Sequence, residues 1–210
     1  GIALSGEIEV DTIVAQGCRP IGQPMKITAC QGTLLKELDG KPTLEVLQDL
    51  NETLSDEDKK LLQTSLFLGI EMDAMKDDPK QGDFLIRNLI GVDRESQSLA
   101  IGALMRTGQL VQFHLRDKKM SSEDLDVMLT RYLSQGHAEN ASGALLFSCL
   151  GRGKYLYGVA NHDTKMFQDK LGKLPLGGFF CNGEIGPVGN ATFLHGYTSS
   201  FGIFRKSDRT

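Results

Sequence analysis

Few features of this sequence mark it as a special class of protein. It lacks low-complexity tracts and internal repeats, which speaks against a disordered chain and a solenoid. Its wholly apolar stretches, such as residues 144–147, are far too short to cross a bilayer, so we expect no transmembrane segment. What remains is a globular protein of 210 residues, long enough for one large domain or two small ones.

Cysteine is scarce and irregularly spaced. Cys18, Cys30, Cys149 and Cys181 form no C-x-x-C pair, so neither a zinc ribbon nor a thioredoxin-like motif is supported. Four cysteines in 210 residues are also too few for a disulfide framework. We therefore expect reduced thiols in a cytoplasmic protein, with no metal ion and no cofactor.

An excess of positive charge is also missing. The net charge is −4 and the isoelectric point about 5.6, which argues against nucleic acid as a partner. Glycine, in contrast, is abundant: 24 of the 210 residues are glycine, about 11% of the chain, whereas ~7% is typical of proteins. Its clusters indicate tight turns, or backbone that approaches a ligand closely.

Apolar periodicity predicts both strands and helices. Residues 25–30 and 33–38 are typical of a hairpin, and residues 84–92, 99–105 and 110–115 of a three-stranded meander. Helices inserted between such blocks of strands predict an α+β fold, in which a mainly antiparallel sheet carries helices packed on it.

One helix has an unbroken apolar stripe. Ser121-x-x-Asp124 is predicted to cap its start, and Gly136 to end it. The stripe positions follow the i, i+3, i+4, i+7, i+8 spacing of one helix face: Leu125, Met128, Leu129, Tyr132 and Leu133. A second helix is predicted at about residues 162–171.

The best boundary between domains is the polar segment 77–82, which is rich in helix breakers. It predicts two adjoining sub-domains, residues 1–80 and 81–210. Because residue 1 is Gly rather than Met and no signal peptide is visible, we expect the chain to be a fragment.

Several longer motifs resemble a known family. The sequence resembles the FIST C-terminal domain at four places in the same order, and the end of the FIST N-terminal domain upstream of them. The matching C-terminal segments are residues 82–93 (GDFLIRNLIGVD), 147–153 (FSCLGRG), 175–186 (PLGGFFCNGEIG) and 195–198 (HGYT). The upstream segments are residues 1–6 (GIALSG) and 16–20 (QGCRP).

The resemblance implies an intracellular signal-input module that binds a small ligand, with amino acids as the suggested class. It also implies that a FIST N-terminal domain ends near residue 80 and that a C-terminal domain follows. Some eukaryotic members are F-box proteins that recruit other proteins, so a protein partner is a further expectation.

A glycine-flanked arginine is the first candidate for ligand binding. Arg152 follows a predicted buried strand, and its planar guanidinium can present several donors to a carboxylate. It could instead lie in a tight turn, facing solvent or paired with a structural carboxylate. Glu184 also lies beside glycines, and it could accept hydrogen bonds from a ligand ammonium or form an ion pair with Arg152.

The remaining candidates supply polar groups near the same motifs. His195 and Thr198 lie in a late turn, Cys149 ends the buried strand before Arg152, and Asn182 shares the motif of Glu184. Because these segments combine glycines with polar groups where periodic patterning ends, we expect them to converge on one concave site.

Arg87 is a candidate for a different reason. Arg87 and Asn88 occupy opposite faces of an otherwise apolar strand, so at least one of them requires a polar partner or a pocket, because an unpaired buried guanidinium is costly.

Three functions fit these residues. The leading hypothesis is a ligand-binding sensory module that is not a self-contained enzyme. The second is a protein-interaction platform. The third is an enzyme with Cys149 or Cys181 as nucleophile, His195 as base and Glu184 orienting it. None of these residues falls in a known nucleophile motif, so no catalytic residue is assigned.

The cysteine pattern yields a direct test. Thiol titration of the denatured, unreduced protein should find four free groups, because no spacing suggests a disulfide framework. A titre of two would contradict this expectation.

Overall fold

The computed structural model describes residues 3–75, 79, 82–188 and 191–207. Its contacts divide the chain into two compact units: residues 1–17 with 118–210, and residues 18–117. We call the first the outer unit and the second the inner unit, because residues 18–117 lie between the two segments of the first unit in the sequence. The predicted boundary at residues 77–82 falls mostly outside the described residues, since 77, 78, 80 and 81 are among those not described.

The predicted α+β fold is confirmed. The strands are β1 (Ile8–Ala15), β2 (Arg19–Gln31), β3 (Leu34–Leu38), β4 (Lys41–Pro42), β5 (Leu66–Glu71), β6 (Phe84–Asp93), β7 (Ser98–Ile101), β8 (Leu110–Leu115), β9 (Ala141–Cys149), β10 (Leu176–Cys181), β11 (Glu184–Val188), β12 (Ala191–His195) and β13 (Ser199–Lys206). The α-helices are α1 (Thr43–Thr53), α2 (Asp56–Thr64), α3 (Lys118–Ser134), α4 (Lys154–Tyr157) and α5 (His162–Leu171).

The inner unit contains a seven-stranded sheet in the order β2-β8-β5-β6-β7-β3-β4, and β2 also pairs with β3. The predicted hairpin of β2 and β3 is confirmed. Helix α2 begins at the N-cap Ser55, whose side chain accepts a hydrogen bond from the backbone N–H of Asp58.

The predicted meander is wrong in its third strand. β6 pairs with β7 as expected, but β8 pairs with β2 and β5 instead of β7. A turn does connect β7 to β8, because the N–H of Gln109 bonds to the carbonyl of Arg106. This segment then bonds to Ile27 of β2, so the turn carries the chain to a different neighbour.

The outer unit is built on a four-stranded sheet in the order β1-β13-β9-β10. β1, β13 and β9 are antiparallel, whereas β10 runs parallel to β9. A parallel pair needs a crossover connection, which residues 150–175 supply with α4 and α5.

Helices α3 and α5 cover one face of this sheet. Their buried side chains form a single apolar core with those of β1, β9 and β13. Phe167 of α5 stacks on Phe201 of β13, with ring centroids 5.1 Å apart. The other face carries the β11–β12 hairpin. There a Cβ on Gly186 would lie only 2.8 Å from Val14, so this close approach requires glycine.

Helix α3 begins earlier than predicted. It starts at Lys118, and Ser121 and Asp124 do not cap it but lie buried within it. Both side chains bind the backbone of Gly17: Asp124 accepts from its N–H at 2.8 Å, and Ser121 donates to its carbonyl at 3.0 Å. The end of α3 is as predicted, with Gly136 in the left-handed conformation.

All four cysteines carry thiols instead of disulfides. In the part of the chain that the structure describes, no helix has both the length and the apolar character needed to cross a membrane.

The stripe on α3 can be tested with a matched pair of variants. Leu129 is fully buried in the core, so Leu129→Ala should lower the free energy of unfolding by about 2–5 kcal/mol. Val127 is on the same helix and 58% exposed, so Val127→Ala should cost about 0.5 kcal/mol or less. Urea denaturation of the two variants measures both values. Equal losses would contradict the packing of this face.

Candidate functional site

A cavity of about 350 Å³ opens where the β9–β10 crossover passes over the sheet of the outer unit. We call it the crossover cavity. Its floor includes Leu146 and Ser148 of β9 and residues 176–180, and its walls are residues 153–154 and 160–164. The start of α5 therefore faces the cavity, as helix starts do at the carboxyl ends of parallel strands in many ligand sites.

A buried ion pair lies beside the cavity. The Nε of Arg152 is 2.8 Å from Oδ2 of Asp163, and the side chains are 0% and 7% exposed. The rest of the guanidinium donates to Tyr157 Oη and to the backbone carbonyls of Tyr197 and Ser121. Arg152 thus makes its hydrogen bonds to protein groups, and Asp163 is the member of the pair that lines the cavity.

Asp163 is held in its ionised form. Burial alone would raise its pKa, but the charge of Arg152 and its hydrogen bonds, with those from Ser199 and His162, lower the pKa from 3.8 to about 2. The same pairing outweighs the desolvation of Arg152 and raises its pKa. Both groups remain charged at neutral pH, and their charges offset each other.

His162 supports the first turn of α5. Its Nδ1 lies 3.0 Å from Oδ1 of Asp163, and its Nε2 lies 3.1 Å from Oγ of Ser122 on α3. Its ring stacks on Tyr157, with centroids 3.6 Å apart and planes 9° from parallel. These contacts fix the direction from which α5 approaches the cavity.

Ser148 brings a hydroxyl group to the floor of the cavity. The residue is 5% exposed, and its Oγ has no hydrogen-bond partner among the residues that the structure describes. Its neighbour in register on β13, Ser199, instead donates to Asp163. An unpartnered buried hydroxyl is unusual, because it loses its hydrogen bonds to water without replacing them.

The predicted site residues divide between the two faces of the sheet. The three segments 149–153, 182–186 and 195–198 do come together: the N–H of Cys149 bonds to the carbonyl of Thr198, and Arg152 bonds to that of Tyr197. Arg152 lies near the crossover cavity, but Glu184, His195, Thr198 and Cys149 do not line it.

Glu184 is the first residue of β11 and is 1% exposed. Its carboxylate accepts hydrogen bonds from the hydroxyl of Thr198 at 2.7 Å and from the N–H groups of Thr198 and Gly183. His195 lies opposite Glu184 in the hairpin, and its Nε2 is 3.1 Å from the carbonyl of Gly186. These contacts brace the hairpin internally and tie it to Thr198, in the turn before β13.

Two candidates lie apart from this group. Asn182 is exposed in the turn between β10 and β11. Arg87 is in β6 of the inner unit, where it is half-buried and its guanidinium donates to the carbonyl of Ile86. Burial lowers the pKa of Arg87.

The thiol of Cys181 is unsuited to nucleophilic attack. Burial, followed by the negative charge and hydrogen bond of Glu184, raises its pKa to about 11. It is therefore protonated at neutral pH, whereas the thiolate is the reactive form.

Sequence reasoning missed Ser148, Lys154 and Asp163 as cavity residues. Asp163 was recognisable only as an acidic residue at a helix start, which is common in any helix. Ser148 was visible only as a polar residue in a buried strand. Neither pattern reveals that a crossover brings the two side chains to one cavity.

Comparison with known proteins identifies two matching family models. The FIST C domain model matches residues 44–187, and the FIST N domain model matches residues 1–41. FIST domains are sensory domains of signal transduction that respond to small ligands.

Three relatives illustrate the range of similar proteins. An uncharacterized protein of Mycobacterium bovis is 41% identical over 204 residues, which cover 97% of this chain and 52% of that protein. An uncharacterized protein of Mycobacterium tuberculosis is 39% identical over 97% of this chain and 53% of its own length. An F-box/LRR-repeat protein of Arabidopsis thaliana is 25% identical over 95% of this chain and 43% of its own length. The chain spans about half the length of the curated relatives that it matches.

The ion pair predicts a specific dependence of stability on pH. Because the pKa of Asp163 is about 2 in the folded state and 3.8 when unperturbed, its stabilising effect is present above about pH 4 and is lost as the pH falls towards 2. Asp163→Asn should lower the free energy of unfolding by about 3–5 kcal/mol at pH 7, since it leaves Arg152 buried without a counter-charge. The difference in unfolding free energy between the variant and the parent should become smaller as the pH falls towards 2.

Asp169→Asn, an exposed position on α5, is the control and should cost about 0.5 kcal/mol or less at any pH. Denaturation curves collected from pH 7 to pH 2 make the comparison. A loss for Asp163→Asn that stays constant across this range would contradict the proposed charge state.

Proposed function

This chain belongs to the FIST family, and we propose that it forms the part of a longer cytoplasmic signalling protein that binds a small ligand in the crossover cavity. The observation that carries the proposal is the combination of mostly apolar walls with a few polar groups that converge at one end of the cavity. Ligand sites of proteins typically have this composition, and volumes of about 300–1,000 Å³.

The cavity suits a ligand of the size of an amino acid. Leu146 and Leu176 can pack against an apolar side chain, while Ser148 and residues 161–164 offer hydrogen-bonding groups. An amino acid, the class suggested by the family resemblance, carries both kinds of surface. Reduced thiols are consistent with the cytoplasmic location of this function.

Arg152 supports the ligand site indirectly in this proposal. Its hydrogen bonds tie α3, α4 and the turn before β13 to Asp163, so it holds the wall of the cavity in place. Glu184, Thr198 and His195 hold the hairpin on the opposite face. We infer a positioning role for these buried polar residues, with the ligand contacts made by the residues that line the cavity.

A protein-interaction platform is the second candidate. β10 is an edge strand of its sheet, and it exposes Phe179 and Phe180, which are 63% and 56% accessible. Exposed aromatic side chains on a strand with a free edge can pair with another chain. The F-box/LRR-repeat relative, which is 25% identical over 95% of this chain, favours the same candidate, because the family resemblance implies that such members recruit other proteins.

Filling the cavity separates the two candidates. Ala160 is exposed at the cavity wall, so Ala160→Trp should place an indole in the ligand space and weaken binding by about tenfold or more. Ala191→Trp places the same group on exposed β12 and should leave binding unchanged. A panel of standard amino acids, titrated calorimetrically against the 210-residue chain, gives the affinities.

Two outcomes would count against the ligand-binding proposal. One is equal affinity of the parent and the Ala160→Trp variant for the same compound. The other is that no compound of the panel binds to the parent while Phe179→Ser abolishes capture of a protein partner.

A further inference from the structure

The hydroxyl of Ser148 points to a ligand group that the protein itself does not supply. Ala144 and Leu146 of β9 face the helices, and Ser148 follows them on the same face by the alternation of a strand. It is nine-tenths buried and lines the crossover cavity, yet its Oγ has no hydrogen-bond partner within the described residues. The protein therefore leaves the hydrogen bonding of this hydroxyl incomplete, at a residue that lines the cavity.

The start of α5 faces the same space. α5 has ten residues, and residues 161–164 line the cavity. Its N-cap, Asn161, is left-handed with φ 59° and makes no side-chain capping hydrogen bond. The first N–H groups of a helix have no partner within the helix, and together they carry a partial positive charge.

The nearby charges favour an anion. Lys154 is exposed at the cavity wall and contributes a full positive charge. Asp163 is the acidic side chain of the lining, but Arg152 neutralises it, and its oxygens also accept from Ser199 and His162. Asp124, which lies outside the lining, also interacts with the charge of Arg152. Among the residues that line the cavity, the positive charge of Lys154 is therefore the one that the Arg152–Asp163 pair does not offset, and the partial charge of the helix start adds to it.

From these three observations we propose that Ser148 and the first turn of α5 form a subsite for an oxyanion of the ligand, with Lys154 as its counter-charge. The oxyanion is a carboxylate or a phosphate, and the apolar remainder of the ligand packs on Leu146 and Leu176. This inference rests on the proposed ligand-binding function, and it adds the chemical class that the site selects.

A head-group series tests the subsite without knowledge of the natural ligand. Hexanoate, hexyl phosphate, hexanol and hexylammonium share an apolar tail and differ only in the group that would reach α5. Calorimetric titration of the 210-residue chain should give at least about tenfold tighter binding for one or both anions than for the alcohol or the cation. The tighter of the two anions identifies carboxylate or phosphate as the group selected.

Ser148→Ala separates binding from folding. The variant should bind the preferred anion about tenfold more weakly and hexanol equally well, because only the anion uses the hydroxyl. Its melting temperature should be unchanged or higher, since the substitution removes a buried hydroxyl that has no partner among the described residues. Ser200→Ala, a buried serine of β13 outside the cavity lining, is the control and should bind as the parent does.

Lys154→Gln should weaken anion binding about two- to threefold at low salt and less at high salt. Lys173→Gln, at an exposed position outside the lining, is the control and should leave anion binding unchanged.

Hexanol that binds as tightly as the anions would overturn the subsite while leaving a ligand cavity in place. Failure of all four probes to bind, together with failure of the amino-acid panel, would overturn both proposals. A Ser148→Ala variant that is less stable and binds anion and alcohol equally poorly would assign the hydroxyl a structural role and overturn the subsite.

Discussion

The outer unit depends on the buried ion pair between Arg152 and Asp163. A guanidinium at 1% exposure loses nearly all of its hydration, and only well-placed partners can offset that loss. Two of those partners, Tyr157 and Asp163, belong to the crossover itself, whereas the carbonyls of Ser121 on α3 and of Tyr197 before β13 are 31 and 45 residues away in sequence. Buried charges of this kind contribute little net stability, but they tolerate few alternative arrangements. The position of the crossover over the sheet follows from that restriction.

Polar groups on the two faces of the sheet have different environments. On the hairpin face, Glu184 is satisfied by Thr198 and Gly183, and the close approach at Gly186 fits the hairpin against the strands. On the helix face, Asp163 is satisfied in the same way, and the crossover cavity lies beside it. The glycine-rich motifs at residues 182–186 and 195–198 are therefore explained by the packing of a hairpin. The crossover cavity lies on the opposite face.

The sequence predicted those features, such as hairpins and helix ends, whose conformation depends on residues close to one another along the chain. The β2–β3 hairpin and the end of α3 at Gly136 follow from local chemistry, and both were predicted. The pairing of β8 was not, because any strand with the same alternation can join several partners, and the choice is made by contacts distant in sequence. Ser121 and Asp124 fit a capping pattern equally well, yet both bind Gly17 across more than one hundred residues. The convergence of the motif segments could be predicted from their composition, but the face of the sheet on which each side chain lies could not.

Ser148 and Ser199 provide an internal comparison for the function of the cavity. The two serines are partners in register on adjacent strands, both are buried, and both belong to the helix-facing side of the sheet. Ser199 donates to Asp163, which accounts for a hydroxyl at that position. Ser148 has no such partner within the described residues, and alanine would fill its place without the cost of an unpaired hydroxyl, about 1–3 kcal/mol. Packing alone therefore favours alanine at position 148. A hydroxyl that costs stability and lines a cavity is accounted for if a molecule that enters the cavity completes its hydrogen bonding.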